Sequence, residues 1–212
     1  VLTTRELARM IKTAGIDFQG LENEEFDEPL GISTGAADIF GVTGGVMEAA
    51  LRTAYFLITG RKLPFEDLHV APIVGLEQIK TAEITLENVL PEYAAFEGVT
   101  LRVAVTSGLA GADQLMREIA DGTSPYQFIE VMGCPGGCIS GGGQPRDVVE
   151  NYRELRTRAL YSEDERKTLR MSFENPSVQT LYQEFLKAPG GELSHHLLHT
   201  HYTPRGDFNE LL

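Results

Sequence analysis

Residues 99–138 read VTLRVAVTSGLAGADQLMREIADGTSPYQFIEVMGCPGGC, and their pattern decides the fold. Val99 to Thr106 alternates β-branched or apolar residues with polar ones, which predicts a strand. Gly108 to Ala120 reads as a helix, and Gln127 to Met132 as a buried strand that delivers Cys134 at its end. Strand, helix, strand in this order implies a right-handed crossover and a parallel pairing. Sheets of this kind place ligands outside the carboxyl ends of their strands. The expected fold class is α/β, a lobe with a mostly parallel sheet flanked by helices.

Cys134 and Cys138 are the only two cysteines of the chain, and both sit on a loop of glycines. A disulfide closing so short a loop gains little entropy and needs a strained Cα geometry. Structural zinc needs four ligands, usually brought as two spaced pairs, and no second pair exists here. Thiolates also bind cluster iron, and a glycine-rich wrap lets backbone N–H groups approach inorganic sulfide closely. On spacing alone an iron-sulfur cluster, an incidental thiol pair, and redox or zinc chemistry all stay open.

Working toward the N-terminus, Ile79 to Leu86 predicts another strand, joined to the first by Asn88 to Gly98, where Pro91 bars a ladder. From Gly44, the spacing of Val46, Ala49, Ala50, Leu51, Ala54 and Leu57 predicts a helix presenting small and apolar residues to a packed interior, ending at Gly60. Thr3 and Glu6 form a capping box for a helix reaching about Thr13 and stopped by Gly15. Glu22, Glu24, Glu25, Asp27 and Glu28 make an acidic loop ending near Pro29, read as solvated surface, with an electrostatic docking edge as the alternative.

The C-terminal third is expected to be helical around Asp147 to Tyr161, Ser177 to Lys187 and Glu192 to His199. His195 and His199 share one face of the last helix, but with no acidic or cysteine ligand adjacent they read as packing or surface residues. No repeat or low-complexity linker divides the chain, so one unit is expected over residues 1–212, with a helical tail from about residue 147.

A net charge of −13 and a pI near 4.8 argue against nucleic acid or an anionic membrane surface as partner. No apolar run reaches the roughly 20 residues needed to span a bilayer. Two close cysteines offer no disulfide framework, which favours a reducing, cytoplasmic compartment. The periplasm stays open, because Val1 is not an initiator methionine.

The segment Phe40-Gly41-Val42-Thr43-Gly44-Gly45 opens a predicted helix. Its free N–H groups and the positive end of the helix dipole suit an anion or an electron-rich diatomic ligand. On the residues alone, a helix cap packed tightly against a neighbouring strand is the plainer reading.

Two long motifs carry a family resemblance. Phe128 to Pro145, F-I-E-V-M-G-C-P-G-G-C-I-S-G-G-G-Q-P, resembles the last cluster-binding motif of iron-only (FeFe) hydrogenases. Gly35 to Thr53, G-A-A-D-I-F-G-V-T-G-G-V-M-E-A-A-L-R-T, resembles the segment between the second and third cysteine motifs of that family. Val1 to Met10 and Ser194 to Tyr202 fit it as well. The resemblance implies the C-terminal part of the catalytic (H-cluster) domain, one half of a two-lobed architecture. The implied activity is interconversion of protons plus electrons with dihydrogen.

The implied cofactors are a 4Fe-4S cluster and a diiron subsite with carbon monoxide, cyanide and a bridging dithiolate. By the same resemblance Cys134 is a terminal cluster ligand, Cys138 is the thiolate bridging to the diiron subsite, and Phe40 and Met132 line that subsite. Thr43, Gly44, Gly45, Gly136 and Gly137 are the implied backbone wrap. Gly133 departs mildly from the alanine of many relatives.

The family's other cysteine motifs lie upstream of the point matching Val1, so the chain is expected to be a processed, split or partial piece. Its remaining ligands are expected from the upstream portion of the same domain or from a partner chain. Ferredoxin or NAD(P)-linked electron-transfer subunits are the implied electron partners. The alternative is a Narf-like iron-sulfur assembly protein, which shares the C-P-x-G-C loop and G-G-G-Q, or a sensory hydrogenase relative. Thr43 to Glu48 and Pro135-Gly136-Gly137 resemble the hydrogenase form more closely.

Overall fold

The computed structural model describes residues 1–25, 27, 32–63, 78–145, 149–201 and 203. Within them α1 spans Thr4–Thr13, α2 Gly35–Asp38, α3 Gly45–Thr59, β1 Ile79–Thr85, β2 Thr100–Ser107 and α4 Leu109–Ala120. β3 spans Phe128–Met132, α5 Tyr152–Arg166, α6 Pro176–Leu181 and α7 Glu192–Leu198.

The strands form one sheet in the order β1-β2-β3, with β1 antiparallel and β3 parallel to β2. The α/β class and the parallel β2-α4-β3 unit match the expectation, but the sheet is mixed rather than mostly parallel. The reason lies in the connection before β2. Asn88 to Gly98 holds only the 3-10 turn Pro91–Phe96, and the Gly98 N–H closes on the Leu86 carbonyl at 2.8 Å. The Leu86 N–H also donates to the Val99 carbonyl at 2.9 Å, so the strand ends close as a hairpin, which returns the chain antiparallel, whereas a parallel return needs a crossover, usually through a helix.

The central strand is covered on both faces, so Val103, Ala104, Val105 and Thr106 are all buried. On one side Val103 and Val105 join Ile84 and Leu86 against Met47, Leu51 and Tyr55 of α3, with Leu63. Each such large apolar side chain contributes roughly 1.5–3 kcal/mol on burial. On the other side α4 comes close enough that a Cβ on Gly111 would stand 2.0 Å from Thr106 Oγ1. The third strand corrects the sequence reading: it is not a buried strand. Phe128 and Val131 are exposed, and Glu130 is its one buried residue. An apolar run cannot by itself distinguish a sandwiched strand from an edge strand, and among the described residues β3 pairs only with β2.

The capping box of α1 forms as expected, with the Glu6 N–H donating to Thr3 Oγ1 and the Thr3 N–H to Glu6 Oε2 at 2.8 Å. No residue of α1 is buried; the helix is tied down at its start, where the Arg5 N–H donates to the Gly143 carbonyl at 3.2 Å. In the acidic loop Glu22, Glu24, Glu25 and Asp27 are exposed, while Glu28 and Pro29 lie outside the described residues.

The C-terminal helices also form, with shifted bounds. α5 starts at Tyr152, Asp147 lies outside the described residues, and α6 runs into a π turn, Tyr182–Leu186, ended by Lys187 at φ 70°. What holds this region to α3 is a buried charge network. Arg52, 0% exposed, donates from both Nη atoms to the two Asp164 oxygens at 2.7 Å, and from Nη2 to Glu48 Oε1 at 2.6 Å. The Tyr161 hydroxyl donates to Glu48 Oε2 at 2.8 Å. Arg170 also donates to Asp164. Burial alone would push the Asp164 carboxyl up, but the Arg52 and Arg170 hydrogen bonds outweigh it and hold its pKa below the ordinary aspartate value.

Candidate metal centre

The loop that carries both cysteines leaves the carboxyl end of β3, the position where such sheets bind ligands. Its path is set by glycine. Gly136 and Gly137 take φ values of 83° and 93°, a left-handed region that side chains disfavour. The Gly137 N–H turns back to the Cys134 carbonyl at 2.9 Å, and a 3-10 turn, Cys138–Ser140, follows. The Ser140 hydroxyl donates to the Pro135 carbonyl, which closes the loop on itself. Cys134 and Cys138 are both free and exposed. A Cβ on Gly141 would be 3.5 Å from Cys134 Sγ, while Gly133 and Gly142 face open space. The disulfide reading is therefore set aside.

A second segment forms the floor of the loop. A Cβ on Gly137 would stand 2.7 Å from both the Gly41 carbonyl oxygen and the Thr43 nitrogen, so only glycine permits this approach. The Thr43 N–H donates to the Gly136 carbonyl at 3.2 Å. Thus the structure brings Thr43, Gly136 and Gly137 together, while Gly44 and Gly45 turn elsewhere. The Gly44 N–H donates to Glu130 Oε1 at 2.6 Å and the Gly45 N–H to the Val42 carbonyl at 2.9 Å. Both of these donors have acceptors within the chain. The start of α3 already has an anion, the Glu130 carboxylate, which also accepts from the Met47 N–H at 2.7 Å.

Sequence reasoning missed Glu130, although a signal was present. A carboxylate at the middle of a strand read as buried needs hydrogen-bond donors, and the orphan N–H groups of a helix start supply them. Missed too were two arginines of α5. Arg156 donates from Nη1 to the Ile139 carbonyl at 2.5 Å and from Nη2 to the Pro145 carbonyl at 3.1 Å. Arg153 lies along Gly136, whose Cβ would be 3.3 Å from Arg153 Cδ.

Met132 ends β3 half-buried, paired in register with Ser107. Phe40, 45% exposed, sits in the 3-10 turn Ile39–Gly41 before α3. It lines a shallow apolar depression of about 410 Å³ with Val46, Ala49, Ala50, Thr53 and Leu57. The tail histidines stay apart from the cysteine loop in sequence and are exposed, and the rings of His195 and His199 meet edge to face at 4.3 Å.

An iron-sulfur group suits the residues present as a partial ligand set. Two exposed thiols stand on a loop almost free of side chains, and Thr43 Oγ1 beneath it is buried with no partner among the described residues. Among the described residues no three cysteine, histidine or acidic side chains gather as a metal site, so those residues bring two thiols together and not a complete ligand set.

Comparison with known families matches residues 1–142 to the one described as iron only hydrogenase large subunit, C-terminal domain, and residues 150–205 to iron hydrogenase small subunit. The NADP-reducing hydrogenase subunit HndD of Solidesulfovibrio fructosivorans is 49% identical over 97% of this chain and 33% of its own length. Protein NAR1 of Arabidopsis thaliana is 32% identical over 96% of this chain and 42% of its own length. A solved structure of a variant of the FeFe-hydrogenase HydA1 from Chlamydomonas reinhardtii is similar with a TM-score of 0.77 at 42% identity, over 95% of this chain and 55% of that one. The chain therefore spans well under two thirds of each of these relatives. Its cysteine loop, its floor and these matches agree: the chain belongs to the iron-only hydrogenase family, in the C-terminal domain of the large subunit.

Proposed function

We propose that this chain forms the C-terminal part of the catalytic domain of an FeFe hydrogenase, which interconverts protons plus electrons with dihydrogen. The observation that carries the reading is the pair of free, exposed thiols on a glycine loop at the carboxyl end of β3. Cys134 and Cys138 would hold a 4Fe-4S cluster as two of its thiolate ligands, and Cys138 would be the one shared with a diiron subsite carrying carbon monoxide, cyanide and a dithiolate. When bound, that group supplies an open iron position for heterolytic cleavage of dihydrogen and a cluster that passes the electrons onward.

The protein's own part is geometric. The positive φ angles of Gly136 and Gly137 and the Ser140 bond to Pro135 preset where the sulfurs point. Met132 and Phe40 wall the site with apolar surface, which keeps water out and lowers the local dielectric. The Thr43 hydroxyl, buried without a partner among the described residues, is a donor available to an acceptor in the site. No carboxylate of the described residues is assigned as a proton carrier.

The remaining cluster ligands come from the upstream portion of the domain or from a partner chain. The electron partner is ferredoxin or an NAD(P)-linked subunit, and the likeness to HndD favours the latter. We place the protein in the cytoplasm; no helix among the described residues is long and apolar enough to cross a membrane. A second reading, an iron-sulfur assembly protein without the diiron subsite, is supported by the likeness to NAR1 at the lower identity of 32%.

The test is Cys138→Ser in the complete enzyme. Hydrogen turnover and the diiron infrared bands should both vanish, because a hydroxyl is a poor substitute for a bridging thiolate. Wild-type turnover in that variant removes the assignment. A wild-type protein with a four-iron signal and no diiron bands selects the assembly reading.

A further inference from the structure

The cysteine loop is gripped from a direction that neither the cysteine motif nor the hydrogen chemistry explains. Arg156 projects from the second turn of α5, within the segment matched to the iron hydrogenase small subunit. Its guanidinium donates to the Ile139 carbonyl, next in sequence to Cys138, at 2.5 Å, and to the Pro145 carbonyl at 3.1 Å. One planar group thus ties together the two ends of residues 139–145. The fork itself is held in place, because the Arg156 Cζ lies 4.8 Å from the centre of the Tyr152 ring, within cation–π range. On the other limb of the loop, Arg153 runs along Gly136 with its Nε buried and without an acceptor among the described residues. Two positive side chains therefore converge on the loop whose residues 134 and 138 carry sulfur. Both belong to the tail segment.

We propose that Arg156 is a positioning residue: through it the small-subunit-like segment clamps the Cys138 limb of the loop and sets the charge felt by the group bound there. The clamp follows from geometry. A single guanidinium reaching two carbonyls removes freedom that a flexible ammonium would leave, since lysine offers a compact point charge without a fork. The electrostatic part follows from sign. A fixed positive charge beside an electron-accepting centre favours its reduced, more negative form, and its removal makes reduction harder. This electrostatic part rests on the function proposed above, whereas the clamp does not.

The experiment uses Arg156→Gln and Arg156→Lys in the complete enzyme, with two readouts. Hydrogen exchange in the cluster-free protein reports the clamp. Exchange across residues 136–141 should accelerate at least several-fold in Arg156→Gln and less in Arg156→Lys, while α3 keeps its wild-type protection. In the loaded protein, the midpoint potential of the four-iron centre should move to a more negative value in Arg156→Gln and stay near wild type in Arg156→Lys. A merely structural role would lower the melting temperature of both variants without separating their potentials. Unchanged exchange at 136–141 in both folded variants overturns the clamp, and equal potentials in the two variants overturn the charge effect. Should the wild-type protein take up no cluster, the function proposed above fails, and the exchange measurement still decides the clamp.

Discussion

Glu130 shows how one side chain joins two parts of the site. It stands on β3, four residues before Cys134, and its two oxygens accept from the N–H groups of Gly44 and Met47 at 2.6 and 2.7 Å. The strand that aims the cysteines and the helix whose entry forms their floor are thereby locked at one distance. Truncation to alanine leaves two buried donors at a helix start without an acceptor. Hydrogen bonds to a charged group are worth about 1.5–3 kcal/mol each, so Glu130→Ala should lower the unfolding free energy by about 3 kcal/mol. Glu130→Gln, which keeps one acceptor oxygen, should lose about half as much by the same reasoning. Denaturant titration of both variants checks the order, and equal midpoints for wild type and Glu130→Ala would rule out the lock. At this scale the sequence was partly legible: the cysteines and the glycines of their loop were readable from the motif, whereas the bond between Thr43 and Gly136 was not. Glu130, Arg153 and Arg156 were not, because their partners lie distant in the chain, and no periodicity reports a carbonyl acceptor.

Among the elements, α3 was the most legible from sequence and remains the least tolerant at its entry. Its bounds fall within a residue of the expected Gly44 to Gly60, because glycines punctuate both ends and the apolar spacing between them fits a helix. Gly60 ends it in the left-handed region at φ 68°, as a C-terminal glycine should. The start is tighter: a Cβ on Gly45 would stand 1.8 Å from the Ile39 carbonyl oxygen, a backbone atom that cannot rotate away. Gly15 offers the contrast, with φ 69° and nothing within 4 Å of its Cβ position. Gly15→Ala should therefore cost only the left-handed strain, about 1–2 kcal/mol. Gly45→Ala must displace the Phe40 turn and should cost more, on the order of 4 kcal/mol, with a loss of protection at residues 39–47. Thermal melts of the two variants, compared side by side, would contradict this account if Gly15→Ala were the more damaging. The β3 edge was misread for the converse reason: a mainly apolar hexapeptide carries no mark of how many neighbours it will have.

For the molecule as a whole, the excess of acid over base was visible in the composition, but the buried charges that join α3 to α5 were not. Arg52 and Asp164 lie far apart in sequence, and only the packed fold shows them as a forked pair. Removing one partner leaves an uncompensated buried charge, which typically costs 3–5 kcal/mol, roughly the effect expected for Asp164→Asn. The pH dependence follows from the direction of each shift. Asp164 has its folded pKa depressed, so its stabilisation is present above the ordinary aspartate value and is lost as pH falls through the lower folded value. Asp38 is raised by burial, so its ionised form weighs against the fold at neutral pH, and that penalty fades on mild acidification. Stability should then hold or rise slightly from neutrality to about pH 4, and fall steeply below it. Asp164→Asn should flatten that acid limb, and an unchanged limb in urea titrations across this range would refute the assignment. The two exposed sulfurs, being the chain's only cysteines, have a use of another kind. A colour reagent for thiols should find both of them in the empty protein and lose both once they are coordinated, so loading at this loop can be followed as a drop of two sulfurs from these residues, without assaying iron or hydrogen.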